Sequence, residues 1–301
     1  MTMKRLGKVL ILGALMACAT GQSAEAKKHQ PPPTTGIDGL LYAAATCDMP
    51  TVKSLIASGV DLSAKDATGF DVLSRASLDR DTKLWESWGL HKPRIKTAWK
   101  LTCPSAVAAL TAAGADPWKA RFYQSPRLNE SQPESIALIR VEDNRETKGK
   151  SGNLMEEMTS AVESQLGGHA GASVFHLGYP VISLNETRQK LLAAGFSAED
   201  SAAPDRAKAC KALGVDGVFE ASLEDYRSSS AAIVVASGFK IKMALSDCKS
   251  GEPLWRLDQD YTLSEGILVR AFGGGKIKQI IDGFTSGDPA LGFPPYENGF
   301  K

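Results

Sequence analysis

Two stretches near the C-terminus constrain the chain most. In "GFKIKMALS", Phe239, Ile241, Met243 and Leu245 alternate with Lys240, Lys242, Ala244 and Ser246. That period of two predicts an antiparallel strand with one buried face and one wet face. "DCKSGEP" turns the chain, and "LWRLDQDYT" returns with Trp255, Leu257 and Tyr261 on one side. Upstream, "VDGVFEASL" puts Val215, Phe219, Ala221 and Leu223 on a single face. "SIALIRVEDN" is a continuous apolar run with a polar end, as a buried central strand would be, and "YPVISL" is a short strand.

Helices alternate with these strands. "NLMEEMTSAVESQL" places Leu154, Met158, Ala161, Val162 and Leu166 on one helical face. "SLNETRQKLLAAGF" opens with a capping box from Ser183 to Glu186 and closes at Gly195. "PDRAKACKALG" is a further helix, with Pro204 at its start and Gly214 at its end. A last helix is expected near Glu265–Phe284, before a tail rich in proline and glycine. The fold class is therefore an α/β mixed-sheet domain over residues 135–301.

Several motifs in this half carry a resemblance: Gly178–Val181, Ala194–Gly195, "LGVD" at Leu213–Asp216, Asp247–Trp255, and the ending "FPPYENG". With them, residues 135–301 resemble bacterial lipoproteins of unknown function related to CsgG-type envelope proteins. The resemblance implies a CsgG-like fold and a role in assembly or secretion of surface structures at the outer membrane. It also admits a homo-oligomer, such as a ring-forming secretion component.

The first half reads differently. In "GLLYAAATCDMPTVKSLIASGVDLSAKDATGFDVLSRAS", Leu40, Leu41, Ala44 and Ala45 mark one helix face, and Val52, Leu55 and Ile56 mark the next. Gly59 occupies a helix C-cap and "KDATG" a turn. The stretch resembles an ankyrin repeat, with Phe70-Asp71-Val72-Leu73 where that pattern has Thr-Pro-Leu-His. "TCPSAVAALTAAGADPW", Thr102–Trp118, resembles a second one. Residues 37–120 thus form a small all-α ankyrin-like domain of two repeats, interrupted by an insertion at 78–101 that holds Trp85, Trp88 and Trp99. Two repeats bury too little surface to stand alone. The insertion and the C-terminal half are the expected covers, and 121–134 is a polar linker between the units. Exposed turns and tryptophans are common contact points, so Lys65, Asp66, Thr68, Trp85, Trp88 and Trp99 are candidate partner-binding residues.

The start of the chain is an export signal over residues 1–26. Lys4, Arg5 and Lys8 precede an apolar run, Val9 to Ala17, too short to span a bilayer. "LMAC" resembles a lipobox, making Cys18 a lipidation site and the mature N-terminus; cleavage after "AEA" would instead start the mature chain at Lys27. Residues 27–36 form a proline-rich tether. Residues 1–17 hold three of the 35 basic groups and none of the 34 acidic ones, so a chain starting at Cys18 is near −2. No basic cluster points to nucleic acid.

Four cysteines remain: Cys47, Cys103, Cys210 and Cys248. Three connectivities are open, and so is a set of buried free thiols. One bridge within each half, in an oxidising periplasm, follows from domain logic.

Chemistry is scarce. His29, His91, His169 and His176 form no zinc pattern, and "FGGGKIK" lacks the flanking residues of a phosphate loop. Glu224 and Asp225 read as a strand end. The expectation is a non-enzymatic envelope adaptor without cofactor or metal, held near the outer membrane and bound to a protein partner. The alternatives are a self-assembling ring component and an immunity or inhibitor protein.

Overall fold

A computed structural model of the protein describes residues 33–66, 69–77, 103–146, 154–167, 178–231 and 234–266. Helix α1 (Gly36–Thr46) buries Leu40, Leu41 and Ala44 and ends at Cys47 in the left-handed conformation, φ 61°. Asp48 opens α2 (Met49–Ala57) by accepting the Thr51 N–H, and Gly59, φ 79°, closes it. A hairpin turn bridged between Lys65 and Asp71 leads to α3 (Val72–Ser77). Helix α4 (Pro104–Ala112) completes two stacked helix pairs. Their core is small and alanine-rich: Leu40, Leu41, Ala44, Val52, Val72, Leu73, Ala76, Val107 and Leu110. A disulfide joins Cys47 to Cys103, the N-cap of α4.

The second unit is built on six strands: β1 (Phe122–Gln124), β2 (Ile136–Asp143), β3 (Val181–Ile182), β4 (Gly217–Ala231), β5 (Val234–Asp247) and β6 (Pro253–Gly266). Their order is β1-β6-β5-β4-β2-β3, with β2 parallel to β3 and β4 and all other pairs antiparallel. Helices α5 (Pro126–Glu130), α6 (Leu154–Gly167), α7 (Leu184–Ala193), α8 (Ala198–Ala202) and α9 (Arg206–Leu213) fill the connections. One sheet face meets α6, whose Leu154, Met158, Ala161, Val162 and Leu166 pack with Phe219, Leu223, Ile241, Leu245, Trp255 and Leu257. The Trp255 ring stacks on Phe219 at 6.2 Å and meets Phe122 edge-on at 6.3 Å. On the opposite face, α7 and α9 cover only one end, where Leu191, Ala209 and Cys210 pack on Ala137, Ile139 and Val218. The Cys210–Cys248 disulfide pins α9 beside the β5–β6 turn.

Four sequence expectations are corrected. The 121–134 segment is no free linker: it holds β1 and α5, and Phe122 and Leu128 are buried in the main core. Polar residues hid this strand, because Gln124 is buried although it reads as a surface residue. Val215 does not share the face of Phe219; it precedes β4 and packs with Val218 on the other side. Glu265 and Gly266 end β6 rather than start a helix, since pairing with β5 carries the strand to Gly266; residues 267–284 lie outside the described residues. Glu224 and Asp225 do not end a strand: pairing with β5 carries β4 past them to Ala231.

The two units meet through β1. Buried Asp71 accepts from the Ser74 N–H, the Ser74 hydroxyl and the Arg121 N–H, each at 2.9 Å. The Ser74 hydroxyl in turn accepts the Phe122 N–H at 2.9 Å. The helical unit therefore supplies acceptors to backbone donors around β1 and covers that edge of the sheet. Asp71 thus both caps α3 and fastens it to the sheet.

Candidate functional site: a charged cleft on the open half of the sheet

Beyond α7 and α9, the uncovered part of the sheet floors a cavity of about 350 Å³. A β-bulge between Leu138 and Arg140 lets Ile139 enter the apolar cluster under α7 while Arg140 lies opposite Glu220. Glu142, Glu220, Ser222 and Glu224 join it from β2 and β4, Lys242 and Ala244 from β5, and Arg256 from β6. The walls are Trp118, just after α4, and Arg206, the first residue of α9.

Glu220 is only 8% exposed and is held by two arginines. One of its oxygens takes the Arg206 Nε–H. The other lies 3.5 Å from Arg140 Nε, which is also 3.4 Å from Glu142. Neither Arg140 Nε nor Glu220 Oε1 completes a hydrogen bond there. Arg140 donates instead to the Pro204 carbonyl at 3.1 Å.

Glu224 accepts from the Ser222 hydroxyl at 2.6 Å, Lys242 at 2.9 Å and Asn144 at 3.1 Å. Burial would raise its pKa, but these donors outweigh it and hold the carboxyl below the usual range. Arg256 donates to the Ala120 carbonyl, and burial draws its pKa down against the opposing pull of Asp258, Asp71 and Asp116. The Arg206 guanidinium lies over the Trp118 ring, 4.1 Å from its centre. Four cations and three carboxylates thus line one cleft.

A second cavity of about 590 Å³ lies beside the Cys210–Cys248 disulfide. Two of its carboxylates are held locally: Asp247 takes Arg127 at 3.1 Å and the Ser250 hydroxyl at 2.6 Å, and Asp216 takes the Ser135 hydroxyl at 3.0 Å.

Of the residues singled out from sequence, Cys18, Thr68, Trp85, Trp88 and Trp99 lie outside the described residues. Lys65 is exposed. Asp66 is turned inward: it pairs with the fully buried Arg75 at 2.6 Å, and Phe70 lies beneath both Arg75 and Arg121. Asp66 thereby holds its own turn in shape. Among the described residues no group of three or more His, Cys, Asp or Glu could hold a metal ion. Sequence reasoning passed over Trp118, Arg140, Arg206 and Arg256. The signal was a charge at every second position of neighbouring strands, but without register it reads as a solvated face.

The arrangement defines a mixed α/β sheet domain with a helical unit fastened at one edge and a polar cleft between them. No protein-family model and no curated protein matches the chain. Solved structures match part of it. Lipoprotein GNA1162 from Neisseria meningitidis is 18% identical with a TM-score of 0.34, over 50% of this chain and 95% of its own. The LpoB C-terminal domain from Salmonella enterica is 16% identical with a TM-score of 0.28, over 42% and 82%. The PelC dodecamer from Paraburkholderia phytofirmans is 10% identical with a TM-score of 0.32, over 59% and 97%. No helix among the described residues is long and apolar enough to cross a membrane.

Proposed function

We propose that the protein is a non-enzymatic adaptor of the bacterial cell envelope, binding a protein partner in the assembly or secretion of envelope or surface structures. One observation carries this reading: the helical unit is fixed to the sheet by Asp71 and Ser74 on β1, so both units present their surfaces in one attitude. A preorganised surface loses less freedom on binding. The two disulfides suit an exported, oxidising setting. In this reading the helical unit is a pair of ankyrin-like repeats and the sheet is a CsgG-like platform. The chain is tethered to the outer membrane through Cys18, or released into the periplasm from Lys27. Lys65, Thr68, Trp85, Trp88 and Trp99 are the proposed contacts.

Crosslinking in cells followed by mass spectrometry, with a Trp85→Ala/Trp88→Ala variant alongside, tests it. The expected result is a different envelope protein captured by wild type and lost in the variant. Crosslinks to itself alone, unchanged in the variant, would overturn it.

The length of the central hairpin favours a second reading. β4 and β5 stay paired to Ala231 and Val234, while β2 pairs with β4 only as far as Leu223. Among the described residues, the outer edge of β4 beyond that point has no strand beside it. A second copy adding there would make a self-assembling component, and mass measurement in solution separates the readings.

A further inference from the structure

The cleft contains more hydrogen-bond donors than its own acceptors use. Arg206 is held from two sides: its Nε binds Glu220 and its plane lies on Trp118. The two Nη nitrogens make no further hydrogen bond among the described residues, and the side chain is 42% exposed. An arginine oriented this way presents a planar fork of N–H groups without having to be ordered first. The carboxylates are already engaged: Glu224 by three hydrogen-bond donors, Glu220 by a hydrogen bond from Arg206 and an ion pair with Arg140, and Glu142 by an ion pair with Arg140. Lys242 donates one of its three N–H groups to Glu224 and so adds further donors.

We infer that the cleft binds a carboxylate of the protein partner, an aspartate or glutamate side chain on an extended segment, with Arg206 as the residue that grips it. The inference rests on the adaptor reading above. A guanidinium fork matches a carboxylate with two parallel hydrogen bonds. Glu142, Glu220 and Glu224 would repel a doubly charged phosphate more strongly than a singly charged carboxylate. The cavity is larger than a carboxylate needs, and the half-buried Trp118 ring offers apolar surface to the stem and neighbouring residues of the segment. Trp118 follows the helical unit and Arg206 belongs to the sheet unit, so a bound segment would touch both.

The test uses the purified full exported chain, nitrogen-15 labelled, and three probes: a blocked pentapeptide with a central glutamate, the same peptide with glutamine, and inorganic phosphate. The glutamate peptide is expected to shift the Arg206 Nε–H and Trp118 indole N–H signals saturably. The glutamine peptide should bind at least tenfold more weakly, and Arg206→Met should lower affinity for the glutamate peptide at least tenfold while melting within a few degrees of wild type. Trp118→Phe, which keeps a ring under Arg206, should bind within a few-fold of wild type. Equal binding of the two peptides, or no loss in Arg206→Met, would overturn the inference; so would phosphate binding as tightly as the glutamate peptide. Crosslinking in cells separates this from the adaptor reading. A partner captured equally by wild type and Arg206→Met sinks the cleft and leaves the adaptor standing. Capture of nothing but this chain sinks the adaptor and, with it, the partner as the source of the carboxylate.

Discussion

The two faces of the sheet come from the same alternating strands and do opposite things. One face is closed by α6 over a continuous apolar layer from Phe122 to Leu257. The other is apolar only beneath α7 and α9, then turns into an ion-pair network floored by Arg140, Glu220, Lys242 and Arg256. Burial of apolar area stabilises the first. In the second, partly exposed charges neutralise one another and contribute little net stability, because desolvation offsets much of their attraction. A region that stabilises the fold weakly while keeping its side chains oriented is suited to recognition rather than to packing.

The widest gap between the faces should appear on truncation. Trp255→Ala removes the ring stacked on Phe219 and should cost about 3–5 kcal/mol, read as a lower urea midpoint with the disulfides intact. A loss below about 1 kcal/mol would mean that this face is not the stabilising one. Asp71→Ala should cost about 2 kcal/mol, because the Arg121 N–H and both Ser74 donors lose a buried acceptor. It should also loosen the helical unit from the sheet, seen as faster amide exchange at Arg121 and Phe122. Unchanged exchange there would show that the attachment lies elsewhere.

A smaller effect separates the faces by pH. The Glu224 carboxyl has a lowered pKa in the fold, so its contribution is fully present above the usual glutamate value of 4.5 and is lost as pH falls through the lowered one. Asp247 has the same sign of shift. Unfolding midpoints between pH 7 and pH 3 should therefore fall in acid, and less steeply in Glu224→Gln; identical slopes would contradict the role given to Glu224. The smallest effect on stability is expected for Arg206→Met, about 1 kcal/mol, since the residue is partly exposed and Glu220 keeps Arg140.

How much of this was legible depended on whether the information is local. Ile241, Met243 and Leu245 could be placed on the buried face because a period of two needs only their own stretch. The five apolar residues of α6 and the Ser183 cap were legible for the same reason. Short β1 was not, because three residues carry no period and its burial comes from β6 on one side and α3 on the other. The bulge at Leu138/Arg140 leaves no mark in "IALIRV", yet it brings Arg140 to Glu220. The cleft is a product of register: Arg140, Glu220, Lys242 and Arg256 come from four strands and look like ordinary surface charges within each of them. Trp118 is near neither the tryptophan-rich insertion nor Arg206 in sequence, and only the fold brings it over α9.

The most direct measurement places a photo-crosslinking residue at one of two exposed positions and compares what each captures in cells. Lys119 follows Trp118, a wall of the cleft, in sequence and is 82% exposed, while Leu192 is an apolar side chain 48% exposed on α7. The account predicts capture of a different envelope protein from Lys119, lost when Arg206→Met is added, and no such capture from Leu192. Equal capture from both positions, or from Leu192 alone, would contradict the assignment of the charged cleft as the recognition surface.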